Sequence, residues 1–296
     1  MRILPSGEQW GIRAGEYAGT VVSVGGGLRG LAYGEREVVV GYGEDEAARA
    51  GIGQHMFPWP NRITDGKYTF AGVEQQLYLT EPARLNAIHG LTRWANWERV
   101  DDGIDESVVE VAHRLHGQPG YPHQLELSIR YQLDADSGLA VTATAKNVGA
   151  GDAPYGYGTH PYLTVGRKID ECELEFSAQS WLEVTPDRLA PVGLSPVEGS
   201  QYDFGKARKI QDLDIDNAFT GLPATWLVTL TDPESGNRAV LSSDTPWMQL
   251  YTANAIGRVG LAVEPMTCPP DAYRSGDHLV VLKPGDEHST TFRVSV

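Results

Sequence analysis

Alternation of polar and apolar residues predicts β-strands along most of the chain. The clearest case is residues 124–133, where the two types alternate for ten positions, as in a strand with one buried face. Turn-forming residues 134–138 separate this segment from a second alternating segment, 139–146. The two segments are therefore predicted to form an antiparallel hairpin. The pattern recurs in residues 226–231 and 238–241, and in the closing segment 290–296.

Helical periodicity is scarce. The best helix candidate is residues 44–50, an acidic and alanine-rich run that ends at Gly51, and we expect one or two helical turns there. Turn-forming residues recur along the whole chain, and no linker, repeat or low-complexity tract divides it. We therefore expect residues 1–296 to form a single all-β domain of stacked, mainly antiparallel sheets.

Charge and cysteine content exclude several classes of protein. The chain has 24 basic and 39 acidic residues and a formal net charge of −15, which argues against nucleic acid or an acidic membrane surface as a partner. Cys172 and Cys268 lie far apart without CxxC spacing, so neither a disulfide framework nor a zinc knuckle is predicted. No segment approaches the roughly 18 apolar residues of a membrane span, and residues 1–8 lack the apolar core of a signal peptide. We expect a cytoplasmic protein that is not exported.

A glycine-rich segment, residues 25–30, matches the G-x-G-x-x-G pattern of dinucleotide-binding loops. Such a loop must lead directly into a helix whose N-terminus meets the pyrophosphate, whereas residues 31–33 and 37–40 have the character of strands. We therefore interpret the segment as a connection between strands and expect no nucleotide cofactor there.

Histidines could in principle hold a metal ion, but their spacing does not favour it. In an extended segment, residues three apart point to opposite faces, so His113 and His116 are poorly placed to share one ion. No metal site is predicted. We expect surface positions for six histidines: His55, His113, His116, His123, His278 and His288.

Two segments in the first third of the chain contain candidate binding residues. Arg62 follows a run of prolines and a tryptophan in residues 57–61, where its planar guanidinium could be held against a polar ligand or could form a structural ion pair. His89 lies between Ile88 and Gly90, a setting in which a histidine is commonly a core residue with its hydrogen bonds satisfied.

Three later segments add further candidates. His160 lies in a stretch rich in aromatic residues and glycine, residues 154–163. Glu264 interrupts a strand-like apolar run, where burial would raise its pKa toward the range that a general base needs, unless it pairs with an arginine. Asp214 and Asp216 could accept hydrogen bonds from ligand hydroxyls or could form turns.

Five short motifs occur in a fixed order along the chain. They are Pro-Trp-Pro-Asn-Arg-Ile at 58–63, Ile-His-Gly at 88–90, Gly-Thr-His-Pro-Tyr-Leu at 158–163, Asp-Asn-Ala-Phe at 216–219 and Val-Glu-Pro at 263–265. Together with Leu-Lys-Pro-Gly-Asp at 282–286, they resemble the aldose 1-epimerases, or galactose mutarotases, from about residue 20 onward. The resemblance implies a β-supersandwich fold with one active site in a cleft, and no metal or organic cofactor.

The resemblance also implies a reaction and roles for individual residues. Mutarotation interconverts the α and β anomers of an aldose by opening and closing the hemiacetal ring. By resemblance, Glu264 is the base that takes the C1 hydroxyl proton and His160 is the acid that protonates the ring oxygen. His89 would hydrogen-bond near the ring oxygen, and Arg62 and Asp216 would hold hydroxyls. The expected partner is a small-molecule aldose, and the expected state is a monomer or homodimer.

Departures from the family pattern leave the sugar open. The better-known branch has His-Ser-Tyr-Phe where this chain has His-Pro-Tyr-Leu at 160–163, and often has Gln where this chain has Met266. Galactose, glucose and other aldoses are candidate substrates. A hexose-6-phosphate mutarotase would need a cationic phosphate pocket, and the sequence contains no cluster of basic residues that indicates one. Two further classes stay open: a non-catalytic carbohydrate-binding protein, and a glycoside hydrolase or lyase with Glu264 and Asp216 as its carboxyl pair.

Overall fold

Strands make up most of the regular structure in the computed structural model, which describes residues 3–296. The first fourteen strands are β1 (Gln9–Ala14), β2 (Tyr17–Val22), β3 (Leu28–Tyr33), β4 (Arg36–Val39), β5 (His55–Met56), β6 (Arg62–Thr64), β7 (Lys67–Phe70), β8 (Val73–Gln76), β9 (Asn86–Ile88), β10 (Glu98–Arg99), β11 (Val108–Leu115), β12 (Leu125–Asp134), β13 (Gly138–Asn147) and β14 (Ala153–Tyr155). The others are β15 (Gly158–Thr159), β16 (Tyr162–Leu163), β17 (Glu173–Phe176), β18 (Ser180–Val184), β19 (Pro191–Pro196), β20 (Arg208–Lys209), β21 (Asp216–Thr220), β22 (Trp226–Thr231), β23 (Arg238–Ser243), β24 (Trp247–Tyr251), β25 (Leu261–Met266), β26 (Val280–Leu282) and β27 (Glu287–Ser295). In the same residues the only α-helix is α1 (Ala272–Ser275), and 3₁₀ turns cover Pro82–Arg84, Ile169–Glu171 and Asn254–Ile256.

Two large antiparallel sheets form the framework. A 12-stranded sheet has the order β1-β2-β3-β4-β16-β25-β24-β21-β18-β19, with β15 also paired to β25 and β5 paired to β15. A nine-stranded sheet has the order β10-β11-β12-β13-β27-β23-β22-β17-β20. One apolar cluster contains buried side chains of both sheets, such as Val21 and Val263 from the first and Ile129 and Val141 from the second. The predicted all-β fold of antiparallel sheets is confirmed.

The hairpin predicted from alternation is formed by β12 and β13. Leu125, Ile129 and Leu133 are among the alternate residues of β12 that are fully buried, while their sequence neighbours are half-buried or exposed. The two strands pair in register from Leu125 opposite Asn147 to Asp134 opposite Gly138. The turn is closed by the Asp134 carboxylate, which accepts backbone hydrogen bonds from residues 136 and 137.

The predicted helix at residues 44–50 is wrong. The segment is a turn followed by irregular chain, and most of its residues are exposed. Because a run this short has no apolar face to pack, burial does not offset the cost of helix nucleation. Instead, the Glu46 carboxylate accepts a hydrogen bond from the Gly43 backbone N–H at 2.8 Å, and Ala50 has the left-handed φ of 50°.

The glycine-rich segment connects strands, as the sequence indicated. Gly25 and Gly26 adopt φ values of 75° and 61°, and β3 begins directly afterwards at Leu28. No helix follows the loop, so the arrangement required for a pyrophosphate site is missing in this part of the described chain.

The surface position predicted for His55 is wrong. Its side chain is 1% exposed and lies between two tyrosines, with Nδ1 2.8 Å from the Tyr157 hydroxyl and Nε2 2.6 Å from the Tyr131 hydroxyl. Both partners are more than 70 residues away in sequence, so no local pattern could reveal them. The other five histidines in that prediction are exposed or half-buried.

Neither a metal cluster nor a membrane-spanning helix is found in the described part of the chain. Within residues 3–296, no group of three or more His, Cys, Asp and Glu side chains is arranged to hold a metal ion. In the same range, no helix combines the length and apolar character that crossing a bilayer requires.

Candidate active site

The five residues that the resemblance assigns to the site lie in one cleft, which Asp214 also lines. The cleft has a volume of about 610 Å³, and Arg62, His89, His160, Asp216 and Glu264 all line it. Their positions in the chain span some 200 residues, so the pairing of strands, not local sequence, brings them together.

Strand pairing places His160 beside Glu264. Glu264 lies in the fully buried β25, and His160 lies in the short link between β15 and β16, which both pair with β25. The His160 Nε2 atom is 3.3 Å from the Glu264 Oε1 atom. These two ionisable side chains therefore lie side by side in the cleft wall.

The His160 ring is held by packing on more than one side. The Tyr162 ring stacks on it with centroids 4.9 Å apart and an interplanar angle of 22°. Gly51 packs so closely that a Cβ atom added there would lie 2.9 Å from His160 Cδ2. The His89 ring meets it nearly edge-on, with centroids 5.5 Å apart. These contacts fix the orientation of the imidazole toward Glu264.

Burial moves the pKa values of the pair in opposite directions. Burial raises the pKa of Glu264 well above its ordinary value, Asp216 raises it further, and Arg62 lowers it. Burial also lowers the pKa of His160 to about 3, with Arg93 and Arg62 acting in the same direction. Burial therefore favours the uncharged form of both side chains, a protonated Glu264 beside an unprotonated His160.

Some polar atoms of this wall have no hydrogen-bond partner among the described residues. They are Glu264 Oε2, His160 Nδ1 and His89 Nδ1, and all three are buried. Because an unpartnered buried polar atom costs free energy, such atoms commonly mark a site that binds a polar ligand. This group is therefore suited to contact a molecule rich in hydroxyls.

Arg62 is held rigidly in the same cleft. Its guanidinium forms a two-bond ion pair with Glu81, with Nε–Oε2 and Nη2–Oε1 distances of 2.9 and 3.1 Å. Asn86 donates a further hydrogen bond to Glu81 at 2.9 Å. Arg62 Nη2 also lies 3.8 Å from Asp216 Oδ2. Arg62 therefore makes the structural ion pair and also lines the cleft, and its contact with a ligand stays a prediction.

Asp216 is the first residue of β21, at the edge of the cleft. Gln249 on the neighbouring strand β24 donates a hydrogen bond to Asp216 Oδ1 at 2.6 Å, and Gln249 pairs with Glu264 across the sheet on its other side. Burial raises the pKa of Asp216, and Arg62 lowers it. Gln249 thus connects the carboxylate at the edge of the cleft with the strand that holds Glu264.

Backbone geometry brings His89 into the cleft. His89 has a left-handed φ of 61°, and Gly90 follows with φ of 69°. A side chain at position 90 would collide with the carbonyl of Phe57, so only glycine fits there. The His89 N–H donates to the Asn61 carbonyl at 2.9 Å. Burial lowers the pKa of His89 well below its ordinary value, and Arg93 contributes to the shift.

Three residues that shape the cleft were not predicted from the sequence: Glu81, Arg93 and Gln249. Gln249 is a buried polar residue between apolar neighbours in a strand, which is the same signal that identified Glu264. Glu81 and Arg93 lie in irregular segments where charged residues are common, so no sequence pattern marks them.

Solved structures share this fold over nearly the whole chain. A GalM/aldose epimerase homologue from Caenorhabditis elegans aligns with a TM-score of 0.86 and 21% identity, covering 97% of this chain and 98% of that one. A galactose mutarotase-like protein from Clostridium acetobutylicum aligns with a TM-score of 0.84 and 19% identity, covering 96% and 94%. The fold is thus the galactose mutarotase-like β-supersandwich.

Sequence comparison establishes the family. The family model described as aldose 1-epimerase matches residues 9–295. YihR, an uncharacterized protein of Escherichia coli, is 36% identical over 290 residues, which cover 98% of this chain and 93% of that protein. The galactose mutarotase of Mus musculus is 25% identical over 339 residues, covering 99% and 96%. The chain belongs to the aldose 1-epimerase family, a class of isomerases that act on carbohydrates.

Proposed function

We propose that the protein interconverts the α and β anomers of an aldohexose. The observation that carries the proposal is the buried pair of His160 and Glu264, with 3.3 Å between Nε2 and Oε1 in the wall of a cleft. Ring opening requires one proton to leave the C1 hydroxyl and another to reach the ring oxygen. A neighbouring carboxylate and imidazole can carry out both transfers.

Each proton and electron pair has a defined destination in this proposal. Glu264 takes the proton of the C1 hydroxyl as the C1–O double bond forms and the bond from C1 to the ring oxygen breaks. His160 delivers its proton to the departing ring oxygen. After rotation about the C1–C2 bond, both transfers reverse and the ring closes on the other face. No net proton is consumed and no covalent intermediate with the protein is needed.

The shifted pKa values are compatible with these roles. The ion pair of a Glu264 carboxylate and a protonated His160 has the same proton count as the neutral pair, so a shift of one proton interconverts the two forms. Arg62 favours the carboxylate form because its positive charge lowers the pKa of Glu264. The cleft therefore needs no exchange with solvent to reach the reactive form.

Arg62, His89 and Asp216 are the proposed substrate-binding residues. Arg62 and Asp216 have polar groups facing the cleft from one side, where they can hold sugar hydroxyls. His89 lies beside His160 and is placed to contact the ring oxygen. Holding the sugar in one orientation matters because the acid and base act only within hydrogen-bond reach of their target atoms.

D-Galactose and D-glucose are the first substrates to test. Relatives of this chain include galactose mutarotases and a maltose epimerase, so both free hexoses and longer reducing sugars are reasonable candidates. We further propose a cytoplasmic location and a monomeric or homodimeric state for the single domain expected from the sequence.

The deciding experiment follows the optical rotation of freshly dissolved α-D-galactose and α-D-glucose at neutral pH, with and without the protein. Faster approach to equilibrium than the spontaneous reaction is the expected result. If the folded protein accelerates no sugar but binds one in calorimetric titration, the chain is a carbohydrate-binding protein and the proposal is wrong. Cleavage of an aryl glycoside would indicate a hydrolase instead.

A further inference from the structure

Arg93 differs from the other arginines of the cleft. Arg62 pairs with Glu81 and faces Asp216, and Arg84 pairs with Glu81. Arg93 also lines the cleft, yet no carboxylate of a described residue lies within 4.0 Å of its guanidinium nitrogens.

The contacts that Arg93 does make are weak. Arg93 Nη1 is 3.4 Å from the Gln54 Oε1 atom, and the guanidinium carbon lies 6.0 Å from the centre of the exposed Trp94 ring. An unpaired guanidinium in a cleft is unexpected in a chain with 39 acidic and only 24 basic residues. A partly buried charge without a partner is costly, and such a cost is commonly offset by an anionic ligand.

The position of Arg93 in the cleft can be described relative to His89 and His160. Gln54, whose side-chain Oε1 atom is 3.4 Å from Arg93 Nη1, accepts a hydrogen bond at 3.0 Å from the His160 backbone N–H through its carbonyl oxygen. The His160 ring in turn lies against the His89 ring, with centroids 5.5 Å apart. Arg93 therefore lies near these two rings, and its positive charge, like that of Arg62, contributes to lowering the pKa of both, although burial is the larger cause for each. Under the proposed function both histidines face the ring oxygen of the sugar. In an aldopyranose this oxygen is bonded to C5, and C5 carries the exocyclic C6.

We propose that the natural substrate is an aldohexopyranose with a single negative charge on C6, and that Arg93 binds that group. The inference rests on the proposed function, because the histidines define which end of the sugar Arg93 meets. A guanidinium donates two parallel hydrogen bonds to a carboxylate or to a tetrahedral acid group.

The charges of the cleft favour a ligand group with one negative charge over a group with two. A single unpaired guanidinium neutralises a single negative charge. A doubly charged phosphate would also face the repulsion of Asp214 and Asp216, which line the same cleft. The preferred substituent is therefore a monoanion, such as a carboxylate or a sulfate ester, in preference to a phosphate dianion.

The test compares sugars that differ only at C6. Anomer exchange is measured by magnetisation-transfer NMR for D-glucose, D-glucuronate, D-glucose 6-sulfate and D-glucose 6-phosphate. We expect kcat/KM at least tenfold higher for one of the two monoanions than for glucose, with the phosphate below that monoanion. The Arg93→Gln variant should lower the ratio of kcat/KM for monoanion over glucose about tenfold, and Arg93→Lys should retain part of it.

Arg84→Gln is the matched control, because Arg84 lines the same cleft but is paired. It should leave the monoanion-to-glucose ratio within twofold. The inference is overturned if glucose is accelerated as well as both monoanions, if Arg93→Gln lowers all rates equally, or if the phosphate is the best substrate. No acceleration of any of the four sugars by the folded protein would instead refute the proposed function.

Discussion

Two groups of residues in the cleft, here called the arginine side and the proton-transfer side, hold their ionisable groups in contrasting ways. On the arginine side, comprising Arg62, Glu81, Asn86, Asp216 and Gln249, charged groups have close partners at 2.6–3.1 Å. On the proton-transfer side, comprising His160 and Glu264, polar atoms are buried without partners among the described residues.

This difference corresponds to two chemical tasks. Groups that only hold a ligand gain from being fixed in advance by hydrogen bonds and ion pairs. Groups that exchange protons need pKa values moved toward the working range and atoms left free for the reactant. The contrast predicts that substitutions on the proton-transfer side affect kcat and those on the arginine side affect KM.

The largest effect is expected from removing the proposed base. Glu264→Gln keeps the shape of the side chain but cannot take a proton, so kcat should fall by about 10²–10⁴ in polarimetric assays. Glu198→Gln, which changes an exposed carboxyl, is the control and should retain full activity. Wild-type rates in the Glu264→Gln variant would refute the role of this carboxyl.

The next largest effect is expected from adding a side chain that presses against His160, the proposed acid. In Gly51→Ala the new Cβ would lie 2.9 Å from His160 Cδ2, so the imidazole must shift from its position beside Glu264. We expect kcat to fall by about 10- to 100-fold, consistent with the sensitivity of catalysis to small displacements. Polarimetry checks the rate, and thermal unfolding checks the fold.

Gly72→Ala is the matched control for that substitution. Gly72 has a similar positive φ of 80°, compared with 76° at Gly51, but open space surrounds its Cβ direction. Both variants share the backbone strain of alanine at positive φ. Equal activity losses in the two would attribute the Gly51 effect to strain and not to His160.

A smaller effect on a different kinetic parameter is expected from loosening the arginine side. Glu81→Gln removes the charged partner of Arg62, so KM should rise about tenfold with less change in kcat, and stability should fall by about 1–3 kcal/mol. Glu171→Gln, which breaks an exposed pair with Arg167, should leave KM unchanged. A drop in kcat with KM unchanged would contradict the division between the two sides.

The pH dependence of the rate tests the shared proton. The rate should be bell-shaped with a broad top, because the active pair holds one proton. The acid limb should lie below the ordinary range of histidine, since the pKa of His160 is lowered, and the alkaline limb above that of glutamate, since the pKa of Glu264 is raised. Initial rates between pH 4 and 10 check this; an acid limb at about 6.5 would contradict it.

The smallest expected effect is a change in the pH dependence of stability, and it concerns His55. This buried histidine can be compared with His160. It is buried like His160, and burial likewise lowers its pKa to about 3, but both of its ring nitrogens have tyrosine partners. Between about 3 and about 6.5 the unfolded chain binds more protons than the folded one at this residue. Stability should therefore be complete above this window and fall by about 1.4 kcal/mol per pH unit as the pH decreases through it.

Chemical denaturation of wild type and His55→Gln across pH 4–7 measures this contribution. The variant should be less stable at neutral pH, because it loses hydrogen bonds to Tyr131 and Tyr157, and should show a shallower acid slope. His116→Gln, at an exposed histidine, should retain the wild-type slope. An unchanged slope in His55→Gln would refute neutral burial of this histidine.

Local sequence patterns were sufficient to predict the regular strands of the protein. Alternation identified the hairpin of β12 and β13 because each of these strands has one face in the core and the other toward solvent. The polar interruption at Glu264 and the ordered motifs identified the five cleft residues, since a carboxyl in an apolar strand is costly without a purpose.

Contacts between side chains depend on the long-range pairing of strands, which local sequence does not reveal. Residues 44–50 have helix-forming composition, but the segment is short and most of its side chains are exposed, so it forms a turn. His55 and Arg93 look ordinary in sequence, and their roles depend on partners present or absent in distant segments. Strands that are far apart in the chain but adjacent in a sheet bury His160 and Glu264 and bring charged neighbours to them. This burial and these neighbours set the pKa values of the two side chains.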